Sequence, residues 1–303
     1  SDYRNIGFAY LWQRPPIEFY GPLLPHNLDG LDASQRWPLA GGTLQFKVFA
    51  GISQRYVEFH DAVGGADDEI LLRPIWGGNL SFENEYWRLT LAGGQARIGE
   101  DPASLKTSGL LPGLEDEFVQ LLWPTAAGHA ADLAMAGKQL GFYSLGASYD
   151  DNTWLVAGEL GLLKSGWGPL RDMHSAYFSL GRRIGHWTPY LLLAQAIPLD
   201  GERTLQAAPL ADRYPATPPA DLADQLGLLH AGLEGFYQSL RIKQRSLSLG
   251  LRVDVHRNIA VKCQWDHSFI DTHGSGLWWP QGRLSNTEPT QVDVLSLSLN
   301  WIF

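Results

Sequence analysis

The strongest pattern along this chain is an alternation of apolar and polar residues with a period of two, as a strand with one apolar face produces. The alternation is clearest in the last twelve residues, 292–303, where one face is aliphatic and aromatic and the other is mostly small and polar. The apolar face there comprises Leu295, Leu297, Leu299, Trp301 and Phe303. The same alternation runs through 247–255 and 259–266. These stretches therefore predict strands with one apolar face.

Extending this reading over the whole chain predicts an all-β protein with antiparallel strands. The eleven predicted strands are 27–37, 42–53, 70–82, 85–98, 139–149, 153–163, 173–184, 187–197, 243–255, 259–270 and 292–303. Residues 1–25 do not alternate and are rich in proline and aromatic residues. They therefore predict an ordered loop, which can fold into the lumen that the strands enclose.

Two long insertions interrupt the predicted strands. The first, 99–138, carries helix formers from Glu115 to Lys138, although Pro124 and Gly128 interrupt them. The second, 198–242, is rich in proline and then helical in character from Ala220 to Leu240. Both insertions are candidates for lids over an interior or for sites that contact a partner.

The predicted connections alternate between short turns and long loops. Short turns fall at 38–41, 83–84, 150–152, 185–186 and 256–258, and every connection between them is longer. This asymmetry is typical of a transmembrane antiparallel β-barrel, which has short periplasmic turns and long outer loops. With the C-terminus in the periplasm, five tryptophans fall near that rim, as an interfacial aromatic belt requires. They are Trp37, Trp87, Trp154, Trp187 and Trp301.

The predicted strand count is odd, whereas bacterial single-chain barrels have an even number of strands. We therefore expect a single barrel domain over 1–303 whose N-terminal strands precede this sequence.

Composition narrows the class of protein. No stretch approaches the roughly 18 consecutive apolar residues of a membrane-spanning helix, and charged residues make up only 18% of the chain. A soluble all-β enzyme or lectin stays open as an alternative. The net charge of −9 without a basic run argues against a nucleic-acid partner. The single cysteine, Cys263, excludes an intrachain disulfide and a multi-cysteine metal site.

Several stretches together resemble a family of proteobacterial porin-like proteins, similar to trimeric general and phosphate-selective porins. They are SDYRNIGFAYLWQRPP at 1–16, GASYDDNTWLVAGE at 146–159, TPY at 188–190 and LGLRVDVHRNIAVKCQWD at 249–266. The aromatic-ended last strand also resembles the closing strand of outer-membrane barrels, which serves there as the membrane-assembly signal.

The resemblance implies a barrel of about 16 strands in the outer membrane of a Gram-negative bacterium. Such a barrel contacts outer-membrane lipid and passes ions and small hydrophilic solutes through a water-filled channel. The resemblance also raises a homotrimer as a form of the protein, and it implies no cofactor.

The residues that alternate toward the polar face are candidates for lining the channel. The basic candidates are Lys47, Arg88, Arg252 and Lys262, and the acidic candidates are Glu159, Asp254 and Asp266. Arg4 and Arg14, on the loop predicted to fold inward, would narrow the pore and favour anions. The alternative is that Arg252–Asp266 and Lys262–Asp254 are salt bridges between adjacent strands.

The sequence also bears on two other classes of function. An enzyme needs a nucleophile beside a base, but the adjacent His174 and Ser175 would point to opposite faces of a strand, so no catalytic residue is predicted. Asp266, His267, Asp271 and His273 lack a recognised spacing of metal ligands, so no metal is predicted either. A barrel that serves as a structural sheath for another protein stays open.

Overall fold

The computed structural model describes residues 10–22, 27–58, 67–201, 205, 220–272, 276–277 and 288–302. These residues form one sheet in which each strand pairs antiparallel with the next, from β1 to β11. The strands are β1 Asp29–Leu39, β2 Gly42–Glu58, β3 Asp67–Glu83, β4 Trp87–Ile98, β5 Gln139–Asp150, β6 Trp154–Ser165, β7 Met173–Arg182, β8 Trp187–Pro198, β9 Gln244–His256, β10 Ile259–Ile270 and β11 Thr290–Trp301. The predicted all-β antiparallel architecture is confirmed. Within the described ranges the sheet is open, because β1 and β11 are its two edges.

The connections alternate as predicted between one end of the sheet and the other. Short turns join β1 to β2, β3 to β4, β5 to β6, β7 to β8 and β9 to β10. Local side-chain bonds close two of these turns. Asn84 accepts hydrogen bonds from the backbone N–H groups of Tyr86 and Trp87, and Asp151 accepts them from Thr153 and Trp154. Such Asx turns fix a tight reversal between two strands.

The two faces of the sheet differ sharply in chemistry. On β11, exposed and partly buried residues alternate without interruption, and Leu297 is 73% exposed. We call this apolar face the outer face. It carries large exposed apolar side chains on most strands, among them Phe46, Trp76, Leu91, Leu145, Leu160, Phe178, Leu193 and Leu249. A continuous apolar surface of this kind is unusual on a protein surrounded by water and is what a lipid-facing sheet requires.

Five tryptophans lie at the short-turn end of the outer face. Trp87, Trp154 and Trp187 each begin a strand, and Trp301 ends β11. Trp37 is two residues from the end of β1, and all five are exposed. The structure thus places these rings at one level, where an interfacial belt would lie.

Helices cover the long-loop end. The helix α1, Ile17–Tyr20, lies apart from the others. The remaining helices of the described residues are α2 Ala103–Thr107, α3 Leu110–Glu115, α4 Glu117–Leu122, α5 Ala126–Leu133 and α6 Ala220–Ser239. We call α2–α6 the helical cap. It packs Leu114, Trp123 and Leu233 against strand residues such as Leu72 and Ile98 in one buried core. No helix among the described residues is long and apolar enough to span a membrane.

The broken helix predicted within 115–138 and the helix predicted within 220–240 are both present. One detail of the prediction was wrong. Pro124 separates α4 from α5, but Gly128 lies inside α5 rather than interrupting it. Packing overrides the weak helix propensity of one glycine here, because Ala126, Ala130 and Leu133 on the same helix are buried in the cap.

Candidate functional site: a segment held on the inner face

Residues 10–22, which we call the inner segment, lie against the face of the sheet opposite the apolar outer face. We call that face the inner face. The segment contains α1 and no strand. Its buried Trp12 and Phe19 pack against Tyr177, Tyr190 and Leu192 of β7 and β8. The Trp12 and Tyr177 rings meet edge to face with 5.3 Å between centroids, a favourable arrangement for aromatic pairs.

Gln264 on β10 fastens the middle of the segment. Its Oε1 accepts hydrogen bonds from the backbone N–H groups of Gln13 and Arg14, at 2.9 and 3.1 Å, and its Nε2 donates to the Arg14 carbonyl at 3.2 Å. The Tyr190 hydroxyl also donates to Oε1, at 2.7 Å. Gln264 is only 1% exposed. A buried amide with its hydrogen bonds made in this way holds the segment in one register along the strand.

Two basic side chains hold the start of the segment. Lys262 is 1% exposed, and its ammonium donates to the backbone carbonyls of Tyr10 and Trp12. Arg252 donates to the same Tyr10 carbonyl at 3.3 Å and pairs with Asp254 at 2.8 Å. Bonds from a charged donor to a carbonyl are stronger than neutral ones. These two cations therefore stabilise the position of the start of the segment.

The end of the segment is held by Glu159 on β6. Its Oε1 accepts hydrogen bonds from the Tyr20 hydroxyl at 2.8 Å and from the Tyr177 hydroxyl at 2.7 Å. Gly146 on the neighbouring strand leaves room for this carboxylate, since a Cβ there would come within 2.8 Å of the Glu159 Cγ. Burial is the largest cause that raises the pKa of Tyr20, and Glu159 adds to it, so the hydroxyl keeps its proton.

Glu18 is the one acidic residue of the inner segment, and it is buried. Its Oε1 accepts a hydrogen bond from Gln244 Nε2 at 2.6 Å, and its buried Oε2 has no hydrogen-bond partner among the described residues. Burial raises the pKa of Glu18, against the lowering effect of the Gln244 bond. A raised pKa favours the neutral acid in this position.

A cavity of about 500 Å³ lies between the segment and strands β4–β7. Its lining mixes aromatic and polar groups, including Tyr10, Trp12, Arg88, Ser148 and Glu159. Arg88 is paired with Glu83 at 2.7 Å. The arrangement leaves space beside the segment for water and small solutes.

The remaining predicted lining residues are placed as follows. Lys47 pairs with Asp32 at 3.0 Å on strands β2 and β1. Asp266 accepts a hydrogen bond from Gln264 at 2.6 Å through Oδ1, while its buried Oδ2 has no hydrogen-bond partner in the ranges that the structure describes. The structure places Arg14 on the inner segment, but Arg4 lies outside the described residues.

The alternative of two cross-strand salt bridges was wrong. The register places Arg252 opposite Lys262 and places Asp266 opposite Ser248. Arg252 therefore pairs with Asp254 on its own strand, and Lys262 bonds to the backbone of the segment. The correct register depends on the irregularity at Ile259 and Ala260, which shifts β10 relative to β9.

Several residues that hold the segment were not singled out from the sequence. They are Trp12, Gln13, Tyr177, Ser179, Tyr190, Gln244 and Gln264. For the members of this set that lie on strands, the only sequence signal was their inward phase in the period-two pattern, and Trp12 and Gln13 carried no such signal. Gln264, for example, lies between the inward-phased Lys262 and Asp266.

The sheet separates the residues that an enzyme or a metal site would need to bring together. His174 is exposed on the outer face, whereas Ser175 is buried on the inner face. Asp266 and His267 are likewise on opposite faces, and His267 Nδ1 lies 2.8 Å from Asp293. Over the described ranges, no group of histidine, cysteine and acidic residues could hold a metal ion.

The residues predicted as the membrane-assembly signal share the outer face of β11. Leu295, Leu297, Leu299 and Trp301 are all exposed there. Phe303 lies outside the described residues.

No protein-family model matches this chain, and no curated protein matches it in sequence. Its fold is similar to that of the anion-selective porin from Comamonas acidovorans, with 13% identity, a TM-score of 0.45, and coverage of 89% of this chain and 58% of the porin. The FrpB iron transporter from Neisseria meningitidis has 11% identity, a TM-score of 0.39, and coverage of 90% and 42%. OmpT, an outer membrane protein of Vibrio cholerae, has 8% identity, a TM-score of 0.34, and coverage of 90% and 88%. This chain thus spans less than two thirds of the first two proteins, and similarity at this level carries no substrate to it.

Proposed function

We propose that this chain belongs to an outer-membrane porin, in which the inner segment narrows a water-filled channel for ions and small hydrophilic solutes. The observation that carries the proposal is that the two faces of the sheet have opposite chemistry. The outer face presents apolar side chains suited to lipid, and the inner face holds a backbone segment through polar side chains. A water-filled channel needs both a lipid-facing and a polar side.

The C-terminus lies in the periplasm in this proposal, with the short turns and their five tryptophans at the periplasmic interface. The helical cap then lies at the outer end, above the inner segment. The protein acts without chemical conversion of the solute, and a homotrimer is the assembly that accompanies this function.

The solute preference follows from charges near the segment. Arg252 and Lys262 donate to segment carbonyls. The anion preference expected from Arg4 and Arg14 stays a prediction. Reversal potentials measured across a salt gradient give its sign, and a cation preference would contradict it.

Conductance of the purified protein in a planar bilayer tests the channel, and Gln264→Leu tests the role of the segment. This change removes the bonds to Gln13 and Arg14, so we expect a larger and noisier single-channel current. Gln291→Leu, on the exposed side of β11, is the matched control and should leave the current unchanged. A wild-type protein that inserts but never conducts would favour the structural sheath. An open channel with identical currents in all three proteins would mean that the segment does not limit conduction.

A further inference from the structure

A second cavity, of about 420 Å³, lies on the inner face across β1–β6, and we call it the apolar recess. Its wall is formed by Phe49, Leu72, Ile75, Leu140, Phe142 and Leu163. Leu72, Ile75 and Leu140 also belong to the core of the helical cap, so packing against the cap helices holds this part of the wall in place. An apolar recess of this kind favours a ligand that is itself largely apolar.

The register explains the shape of the recess. Phe49, Gly77, Gly94 and Phe142 are successive partners across strands β2–β5. The Phe49 ring lies over Gly77, because a Cβ there would be 2.8 Å from its Cζ. A Cβ on Gly94 would still be 3.7 Å from that ring. Two glycines between the two phenylalanines therefore leave a floor of backbone at Gly94. The tip of the Phe49 ring is in van der Waals contact on one side, and Phe142, whose ring leans towards Gly161, borders the other.

Polar groups border this floor on one side. The next row on the same face is shifted by two positions along each strand. It consists of Asn79, Ala92 and Ser144. Within the part of the chain that the structure describes, the side chains of Asn79 and Ser144 make no hydrogen bond, and both line the recess. Lys47 and Asp32, at the same edge, pair with each other at 3.0 Å and so leave no unmatched charge. The recess thus offers two aromatic rings, a floor of backbone and two uncharged hydrogen-bonding groups.

We propose that the apolar recess binds a small uncharged aromatic solute that carries a hydroxyl group, of which phenol is the simplest example. The ring lies over Gly94 between Phe49 and Phe142, where offset or edge-to-face contacts are favourable. The hydroxyl lies over Ala92, within reach of Asn79 and Ser144. A cavity of roughly 150 Å³ holds benzene in another protein, so the recess has room for one substituted ring. This inference deepens the proposed porin function by naming a class of solute.

Protection of a thiol in the recess tests this site. Cys263 is replaced by serine, and Ser144→Cys then supplies the only thiol. We expect phenol to slow the reaction of this thiol with a small methanethiosulfonate several-fold in the purified protein, and we expect glucose at the same concentration to leave it unchanged. Adding Ala92→Leu fills the space beside the floor that the hydroxyl would occupy, and it should abolish the protection. Adding Ala147→Leu, on the outer face, is the matched control and should preserve it.

Equal protection by phenol and glucose would overturn the proposal, because it would show only that a crowded channel blocks the reagent. No protection by phenol, or a thiol that does not react at all, would overturn it as well, since the recess would then not admit such a molecule. Phenol protection that survives Ala92→Leu would place the solute elsewhere and has the same consequence. Each result leaves the conductance of the wild-type channel unaffected, so the porin proposal is decided separately.

Discussion

Single side chains on the inner face act mainly on the backbone of the inner segment. Lys262 is the clearest case, because an ammonium that is 1% exposed needs acceptors in its surroundings. The carbonyls of Tyr10 and Trp12 supply them. The dependence is mutual, since removal of either side leaves buried polar groups without partners. The alternation predicts Lys262 as a charge that lines a pore. In the structure its ammonium donates to the backbone of the inner segment, and a lining role stays a prediction.

The raised pKa of buried Glu18 predicts that docking of the segment depends on pH. Its pKa is raised by burial in the docked state, so docking is favoured most below its ordinary value of 4.5. This contribution is lost as the pH rises through the raised value, because the docked acid must then lose its proton while buried. We expect wild-type single-channel noise to increase as the pH is raised from below 4.5. Glu18→Gln, which keeps an acceptor for Gln244, should stay quiet across the same range.

Noise recorded at a series of pH values in a planar bilayer measures this difference. Glu117→Gln, on the exposed surface of α4, is the matched control and should keep the wild-type profile. Parallel profiles for wild type and Glu18→Gln would show that another group causes the pH dependence.

At the scale of elements, strands were predicted well and short helices were not. All eleven predicted strands are present, and β10 has the predicted bounds, 259–270. The reason is physical: a strand with two chemically different faces must alternate at every residue, so its pattern is local. Helices α2 and α3 are five and six residues long and lack enough turns to show a helical period. Their stability comes from burial of Leu105, Leu111 and Leu114 in the cap.

The candidate site could be predicted only in part. The period-two pattern gives the inward phase of Gln264 and Glu159. It cannot give their partners, which are 250 and 139 residues away in the bonds to Arg14 and Tyr20. Those contacts depend on the path of an irregular segment and on the register of several strands. Neither follows from local sequence.

The outer face of β11 allows a direct test of the membrane environment of a strand. Leu297→Arg should destabilise the protein by about 2–4 kcal/mol, the cost of an arginine that faces lipid near the middle of a bilayer. Ser296→Arg, one residue away on the inner face, is the matched control and should cost far less. Urea unfolding of the protein in lipid vesicles measures the two free energies. Equal costs would mean that the two faces of β11 do not differ in environment.

The whole molecule is asymmetric in two directions. Across the sheet, an apolar outer face opposes an inner face that holds a segment through charged and amide side chains. Along the strands, tight turns and five tryptophans mark one end, and the helical cap covers the other. The inner segment and the cap both contribute aromatic and aliphatic cores on the inner side of the same sheet. The two cores therefore reduce the space on the inner face, while nothing in the described residues covers the leucines of β11.

Spin labels along β11 would show which of these surfaces contacts lipid. With Cys263 replaced by serine, single cysteines at 294–299 are labelled in protein reconstituted into vesicles. We expect labels at Leu295, Leu297 and Leu299 to be accessible to oxygen, which concentrates in lipid. Labels at Ser296 and Ser298 should respond more to a water-soluble nickel complex, so the two accessibilities should alternate with a period of two. If the leucine positions were instead shielded from both reagents in protein that is monomeric in the vesicles, they would lie against another part of the same chain. The lipid-facing surface, and the channel that depends on it, would then have to be abandoned.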